Sequence, residues 1–218
     1  MALTAAALTT LAKANAEIGT SGEDTLVEQL IEAISFRIAN YCNRTFYFEE
    51  NIAESIGGYG GTQLVVARPP IVDITSIALD GNTVSSEYYS YPNADAGIIY
   101  HKLGWDNTAL ASGSWVTVDK LAGTENPIYV VTYDGGYVTP QQAVDDVTLT
   151  RNLPLDLEDA CLEWVNARYQ RKGKDPRLQG EKILSWSAQY SVTAQQSQEM
   201  PEYVRAVADR YVLMAIGV

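Results

Sequence analysis

The sequence predicts an α+β protein: a helical base, discontinuous in sequence, that carries an inserted small antiparallel β sandwich or barrel. Two observations predict this class. Apolar residues recur at three- and four-residue steps towards both ends of the chain, giving about four helices, whereas β-branched, aromatic and glycine residues dominate its middle. We therefore predict that residues 1–44 and 141–218 form the helical base, with a C-terminal arm and helix, and that residues 45–140 form the inserted β domain.

Length and composition limit the classes of function. The chain has 218 residues, 46% of them hydrophobic, which suits one sizeable core with an insertion. Its formal net charge of −12 disfavours a general nucleic-acid binder and suits a soluble protein, or a wall past which DNA moves without sticking. No apolar run reaches the length of about 18 residues that a membrane span needs. Two cysteines, Cys42 and Cys161, make no disulfide framework, and we expect both to be reduced core thiols.

The N-terminal part predicts two helices. A short one runs from Thr4 to about Glu17, and a longer one from Glu23 to about Cys42. Thr20 with Glu23, or Ser21 with Asp24, offers a capping box for the longer helix. Its apolar stripe has helical spacing and consists of Val27, Leu30, Ile31, Ile34, Ile38 and Tyr41.

The best-marked helix lies within residues 151–172. We predict Asn152 as its N-cap, Pro154 in its first turn, and Gly173 as its end. Acidic residues in its first turn and basic residues in its last match the helix dipole. Its apolar face is formed by Leu157, Ala160, Cys161, Trp164 and Val165, and we expect this face to pack on the stripe of the longer N-terminal helix.

The middle of the chain predicts short strands separated by turns. Arg68-Pro-Pro70 is a break, because proline is not tolerated inside a central strand. The predicted strands span residues 63–67, 71–79, 88–91, 98–101, 114–118 and 128–133, after a start at 45–48. This spacing is typical of a small antiparallel sandwich or barrel.

The C-terminal part predicts a connector, an arm and a helix. Residues 137–151 connect the β domain to the best-marked helix, and residues 181–192 alternate as a hairpin or an extended arm. Pro201 opens a final helix from Glu202 to about Ile216. Its inward residues are expected to be Tyr203, Val204, Val207, Tyr211 and Met214.

Four segments in order carry a family resemblance. The segment 23–46 is a helix that closes on Tyr41-Cys-Asn-Arg-Thr-Phe46, and Arg68-Pro-Pro-Ile-Val-Asp-Ile-Thr-Ser-Ile77 begins a strand. Val131-Thr-Tyr-Asp-Gly-Gly-Tyr137 and then Leu153-Pro-Leu-Asp-Leu157 follow. This ordered set, which covers nearly the whole chain, resembles the head–tail connector, or adaptor, proteins of tailed bacteriophages. The chain departs from the usual pattern in the long connector of residues 138–151 and in a glutamine-rich stretch at 195–198.

The resemblance implies a structural role in the neck of a virion. Such adaptors form rings, commonly of twelve copies, beneath the portal protein of the head. They extend the channel through which genomic DNA passes without sequence-specific binding, and they offer a docking platform for stopper or tail-completion proteins. The resemblance thus implies a homo-oligomer made in the host cytoplasm, with no enzymatic activity, no cofactor and no membrane contact.

Catalytic and metal-binding patterns are weak in this sequence. His101 is the only histidine, and we expect it to be a partly exposed sheet residue, since no Gly-x-Ser-x-Gly nucleophile elbow accompanies it. Cys42 and Cys161 lack companions at metal-site spacing. Adjacent carboxylates such as Glu158-Asp159 are interpreted as first-turn helix charges rather than as a hydrolytic dyad.

The clearest charge feature predicts a contact between subunits. Six of the fifteen basic residues cluster in one stretch, and they are Arg168, Arg171, Lys172, Lys174, Arg177 and Lys182. Helix-end charge accounts for the first three only. In a ring, such a patch can meet an acidic face of the neighbouring subunit in a head-to-tail contact. We predict that this acidic face includes Glu23, Asp24, Glu28 and Glu32.

The apolar C-terminal end predicts a second contact. Tyr211, Leu213, Met214 and Ile216 would otherwise be exposed, so we expect this end to reach the portal protein or the adjacent subunit. An alternative function stays open at this point: a carbohydrate- or surface-binding β-sandwich module, in which Tyr89, Tyr91 and Trp105 form an aromatic platform.

Overall fold

The computed structural model describes residues 2–57, 61–79, 81–105, 107–109, 115–117, 128–172, 180–183, 186–189 and 200–213. The chain divides into two compact units. One, called here the helical unit, comprises Met1–Arg44 and Val138–Val218, and the other, the β unit, comprises Thr45–Tyr137. Helices and antiparallel sheets occupy separate parts of the sequence, so the predicted α+β class is confirmed.

Five helices lie in the described part of the helical unit, one more than predicted. They are α1 (Leu11–Ile18), α2 (Asp24–Tyr41), α3 (Pro140–Asp145), α4 (Leu155–Tyr169) and α5 (Glu202–Ala208), and a 3-10 turn (Asp209–Tyr211) follows α5. Helix α1 begins later than predicted because Thr10, not Thr4, caps it through the backbone N–H of Lys13. The extra helix α3 lies within the predicted connector.

Helix α4 matches the best-marked helix of the sequence but begins differently. Pro154 occupies the N-cap position and makes no side-chain cap. Asn152 was predicted there; instead its side-chain oxygen accepts the backbone N–H of Val138 at 2.7 Å. This hydrogen bond ties the start of α4 to the residue that follows the β unit. All five predicted apolar positions of α4 are buried, and Leu162 and Glu158 are buried with them.

Helices α2 and α4 pack against each other, with α1 and α5 also packed on α4. The interior face of α2 consists of Val27, Ile31, Ile34, Ser35 and Ile38. Neither predicted capping box forms, because Glu23 is the N-cap of α2 and makes no side-chain cap. Cys42 and Cys161 are free and buried, as expected, and the Ser35 hydroxyl lies 3.8 Å from the Cys161 sulfur.

The strands of the β unit form open antiparallel sheets. They are β1 (Glu49–Gly57), β2 (Gln63–Val65), β3 (Ile71–Leu79), β4 (Asn82–Thr83), β5 (Tyr89–Asn93), β6 (Ile98–His101), β7 (Asn107–Ala109), β8 (Trp115–Thr117) and β9 (Ile128–Gly135). A four-stranded sheet has the order β1-β9-β3-β4, a three-stranded sheet the order β2-β6-β5, and β7 pairs with β8. The described strands close no barrel, so the sandwich alternative holds.

One core joins the two larger sheets of the β unit. Leu64 and Ile99 of the small sheet lie in the same buried cluster as Ile77 and Tyr129 of the large sheet. Because alternate residues of a strand point to opposite faces, this core takes every second or third side chain of β3 and β9. This is the layered arrangement of a small sandwich.

The two ends of the β unit lie side by side, as expected of an insertion. Tyr47 and Tyr137 form a β-bridge, and the Tyr137 N–H donates to the Phe46 carbonyl at 2.7 Å. Gly136, with φ of 98°, makes this approach possible, because a Cβ there would lie 2.3 Å from the Tyr47 carbonyl oxygen.

In the predicted arm, β10 (Gly180–Ile183) and β11 (Trp186–Gln189) pair antiparallel. Of the two alternatives for this segment, the hairpin is therefore confirmed. The final helix α5 ends at Ala208, well before the predicted end near Ile216.

Candidate interaction surfaces

Three arginines meet where α4 ends beside α2. Arg168 lies in the last turn of α4, Arg171 lies just beyond it, and Arg37 lies on the neighbouring α2. Partial burial lowers the pKa of Arg168, and the positive charges of Arg37 and Arg171 lower it further. Arg168 is thus repelled by the charges of both Arg37 and Arg171. We call Arg37, Arg168 and Arg171 the arginine patch.

Tyr203 of α5 borders the arginine patch. Burial and the charge of Glu163 raise its phenol pKa, whereas the charge of Arg171 lowers it. Its side chain was predicted to face inward, and that prediction is wrong, since Tyr203 is 42% exposed. Helix α5 instead packs through Val204 and Ala208, which leaves the Tyr203 ring at the surface.

Lys172 and Glu23, predicted to meet across a subunit boundary, form an ion pair within one chain. The Tyr169 hydroxyl donates to Glu23 Oε2 at 2.8 Å and lies 3.1 Å from Thr20 Oγ1. The hydrogen bonds from Lys172 and Tyr169 lower the pKa of the Glu23 carboxyl. This pair therefore joins the end of α4 to the start of α2.

The other predicted acidic residues also lie on or near α2. Asp24 accepts the side-chain N–H of Asn15 at 2.8 Å, and Glu32 accepts the Thr4 hydroxyl at 3.0 Å. The N-terminal segment thus lies along this flank of α2, which a pattern in α2 alone does not reveal. Glu28 is partly exposed on the same helix. The predicted role of these acids between subunits stays a prediction.

The start of the predicted C-terminal contact is fastened to the helical unit. The Tyr211 hydroxyl donates to Asp156 Oδ1 of α4 at 2.6 Å. The Leu213 N–H donates to the Cys42 carbonyl at 2.8 Å, and the Tyr41 hydroxyl donates to Asp209. Met214 and Ile216, together with the side chains of Lys174, Arg177 and Lys182, lie outside what the structure describes.

The connector between α3 and α4 exposes apolar side chains that the sequence reading did not single out. Val147 is 90% exposed and Val144 is 62% exposed, with Asp145 and Asp146 between them. Asp146 accepts the N–H and the hydroxyl of Thr148, at 2.9 and 2.7 Å. These hydrogen bonds lower the pKa of the Asp146 carboxyl and hold the turn in one conformation. We call Val144–Thr148 the connector turn.

The similarity to known proteins extends over the whole chain and is not confined to any one of these surfaces. No protein-family model and no curated protein matches the sequence. A chain in the virion of a native gene transfer agent (GTA) particle matches with a TM-score of 0.55 and 12% identity, over 100% of this chain and 95% of that chain. The chain has the fold of a GTA particle protein.

Two structures of the particle neck show the same likeness. A chain in the neck of an empty GTA particle, computed with C6 symmetry, matches with a TM-score of 0.52 and 11% identity over 100% of this chain and 95% of that chain. A chain in the neck of a native GTA particle, computed with C12 symmetry, matches with a TM-score of 0.51 and 13% identity, over 100% and 94% respectively. At this level of identity the matches establish a shared fold with proteins of a phage-like particle and its neck.

His101 is buried rather than partly exposed, which corrects the sequence prediction. It is 1% exposed, and its ring lies 4.9 Å from that of Trp105. Its Nδ1 accepts the Leu103 N–H at 3.3 Å, so the proton of the neutral ring sits on Nε2. Burial lowers its pKa and favours this neutral form. Within the described residues no His, Cys, Asp and Glu side chains cluster in a way that could hold a metal ion.

The aromatic platform of the alternative function does not form. Trp105 is fully buried and stacks edge-on against Tyr129 at 5.1 Å between ring centroids. Tyr89 and Tyr91 pack against the same core and are only partly exposed. A stacking platform for sugars needs open ring faces, and the most important ring of the predicted platform is inside the β unit.

None of the described helices has both the length and the apolar character that crossing a membrane needs. Helix α2 shows why: it has eighteen residues, but charged side chains occupy several of its outward positions.

Proposed function

We propose that this chain is a structural subunit of the neck of a phage-like particle, a head–tail adaptor that forms a ring beneath the portal protein. The observation that supports it is the likeness over the full length of the chain to proteins in GTA virion and neck structures. The order of motifs in the sequence supports the same proposal independently. The role is non-enzymatic, with no cofactor.

The ring contains twelve copies in this proposal. One of the neck structures with this fold was computed with C12 symmetry, and another with C6 symmetry. A ring that surrounds a channel joins subunits by head-to-tail contacts that close by rotation. The net charge of −12 suits a channel wall that DNA must pass without binding.

The portal protein and a stopper or tail-completion protein are the proposed partners. The C-terminal segment after Tyr211 is the part that we assign to the portal or to the adjacent subunit. Its first residues lie on α2 and α4, since Leu213 bonds to Cys42 and Tyr211 to Asp156. This anchorage would fix the direction in which the segment leaves the helical unit.

Co-expression with the portal protein of the same particle tests the proposal. We expect a co-purifying complex whose native mass corresponds to twelve copies of this chain, and a ring in averaged electron micrographs. A protein that stays monomeric and does not bind the portal would reject the proposal.

A truncation separates the C-terminal contact from the ring. Deleting the residues after Tyr211 should abolish portal docking while the monomer still folds, because every described hydrogen bond of Tyr211 remains. As a control, replacing the exposed Glu17 of α1 by lysine should leave docking intact. Normal docking by the truncated chain would show that another surface meets the portal.

A further inference from the structure

The charges of Arg168 and Arg171 are not neutralised within the described part of the chain. Among those residues, neither Arg168 nor Arg171 forms an ion pair, whereas Lys172 beside them does. Two neighbouring positive charges without an acidic partner stand out in a protein with a net charge of −12. Like charges at short distance repel, and an anionic partner relieves that repulsion. The patch therefore has the positive charge expected of a surface that binds an anionic partner.

The connector turn has the complementary chemistry. Asp145 and Asp146 are exposed, and Val144 and Val147 flank them with exposed apolar side chains. The turn is ordered before any partner arrives, since the Thr139–Gln142 capping box fixes α3 and Asp146 fixes the chain after it. A preorganised turn loses less conformational entropy on binding than a flexible one.

The two surfaces flank α4 in the chain. The connector turn precedes α4, with residues 149–154 between them, and the arginine patch lies at the last turn of α4. Helix α4 has fifteen residues, so its ends are roughly 22 Å apart at 1.5 Å per residue. Within the described residues no ion pair joins the acidic turn to the patch of its own chain. Two complementary surfaces at separate places on a subunit are what a head-to-tail contact needs.

We infer that the connector turn of one copy docks on the arginine patch of the next copy in the ring. In this contact Asp145 and Asp146 face Arg168 and Arg171, and Val147 lies against the exposed ring of Tyr203. The inference rests on the proposed ring and names the contact that closes it. It also replaces part of the acidic face predicted from sequence, because Glu23 is already paired with Lys172.

Basic patches also bind the phosphates of DNA, but the exposed apolar residues on both surfaces favour a protein partner here. Phosphate binding uses basic and polar groups and has no need for a neighbouring valine. The turn exposes Val147 next to two acidic residues, and Tyr203 is exposed near Arg171, so the two surfaces match each other in both charge and polarity.

Charge reversal tests the contact. One variant carries Asp145→Lys with Asp146→Lys, and a second carries Arg168→Glu with Arg171→Glu. A control carries Glu17→Lys with Glu87→Lys, which changes the charge as much as the first variant does at exposed positions on other elements. Circular dichroism establishes that each variant folds, and native mass spectrometry measures the concentration at which half of the chains are in rings.

We expect each reversal alone to raise that concentration at least about tenfold, and the control to leave it unchanged. An equimolar mixture of the two reversed variants should assemble again. In the mixture, the native patch of the first variant meets the native turn of the second, and the two reversed halves also complement each other. Assembly of either reversed variant at the wild-type concentration, or failure of the mixture to assemble, would overturn the inference.

A wild-type chain that never self-associates, alone or with its portal, would instead reject the ring itself, so the two failures are distinguishable.

Disulfide cross-linking tests whether the two surfaces lie close together. One variant carries Val147→Cys and another carries Arg171→Cys, and a disulfide-linked dimer should form only when the two are mixed. The native thiols of Cys42 and Cys161 are buried and should not react. The variant with Arg168→Glu and Arg171→Glu also tests binding of DNA. If it loses affinity for a mixed-sequence DNA duplex while its rings form normally, the patch binds DNA and the inference is wrong.

Discussion

The ammonium group of Lys13 lies 3.0 Å from the carboxylate of Glu158, which is completely buried although it lies in the first turn of α4. Arg151 pairs with the same carboxylate, and the Thr9 hydroxyl lies 3.4 Å from its other oxygen. A buried carboxylate is tolerated only with such partners. Glu158 thus joins the N-terminal segment, the connector and α4 at one point.

Replacing Glu158 by glutamine should destabilise the helical unit. The amide keeps the shape of the carboxyl group but removes the charge that Lys13 and Arg151 neutralise. Both basic side chains are partly exposed, so water relieves some of the loss, and we expect the free energy of unfolding to fall by about 1–3 kcal/mol. Urea denaturation followed by circular dichroism measures it.

Asp159 provides the matched control, since it also pairs with Lys13, at 3.6 Å, but is largely exposed. Asp159→Asn should cost less than about 0.5 kcal/mol, because exposed ion pairs contribute little. Equal losses for Glu158→Gln and Asp159→Asn would show that burial of Glu158 has no energetic consequence.

Gly136→Ala should disrupt the joint at which the β unit closes. Its Cβ would lie 2.3 Å from the Tyr47 carbonyl oxygen, and the backbone φ of 98° is unfavourable for alanine as well. We expect a loss of about 3 kcal/mol or more in the free energy of unfolding.

Gly81→Ala separates the two causes, because Gly81 has a φ of 78° but open space at the Cβ position. It should cost only the backbone strain, about 1 kcal/mol. Thermal melts of both variants compare the two, and similar losses would contradict a steric role for the Tyr47 contact.

The stability of the β unit should fall as the pH is lowered through 6. Burial lowers the pKa of His101 below its ordinary value of 6.5, so the unfolded chain binds a proton at a higher pH than the folded one. The stabilisation is fully present above pH 6.5 and is lost as the pH falls towards the lower pKa of the folded protein. The slope in that window cannot exceed about 1.4 kcal/mol per pH unit, the limit for a single proton.

His101→Asn should remove this slope, because asparagine keeps an acceptor for the Leu103 N–H and does not titrate. The sequence has one histidine, so no other imidazole contributes. Denaturation curves at pH 5, 6, 7 and 8 give the comparison. The same slope in both proteins would mean that His101 is not the group responsible.

The two cysteines should report on the docking of α5. Burial raises the pKa of Cys42 to about 11 and that of Cys161 to about 12, so both thiols should react slowly with a disulfide reagent at pH 8. Cys42 donates to the Ala208 carbonyl of α5 at 3.4 Å, whereas Cys161 lies against Ser35. Deleting residues 200–218 should therefore speed the reaction of Cys42 at least tenfold and leave Cys161 slow. Mass spectrometry of labelled peptides distinguishes the sites, and equal acceleration of both would indicate general unfolding.

The elements that could be predicted are those whose signal is local. Helix α2 and strands β3 and β6 lie where the spacing of apolar residues places them, because burial of one face repeats along each segment. Helix α3 carries a signal that was available in the sequence: Thr139 and Gln142 have capping-box spacing, with Pro140 at the first helical position. Strand β1 had no such signal, since most of its residues are exposed and its pairing with β9 defines it.

The residues of the candidate surfaces also differ in whether the sequence alone reveals them. The basic residues at the end of α4 stand out in the sequence, because Arg168, Arg171 and Lys172 lie within five positions of one another. Arg37 does not, because only the packing of α2 on α4 brings it beside Arg168. Burial of His101 and Trp105 was also missed, since a short strand pattern does not tell which face of a sheet another sheet covers.

The sequence by itself therefore determined the fold class and the helices and strands with a strong local pattern, because periodicity, caps and turn residues act over a few neighbouring positions. Only the tertiary structure decided which charged side chains pair within the chain and which remain available to a neighbouring subunit. Glu23 and Lys172 pair with each other, and Glu158 is buried, whereas Arg171 and the connector turn stay exposed and Arg168 stays partly exposed. Those outcomes depend on contacts between residues far apart in sequence, and the strength of each depends on how much water its packing excludes.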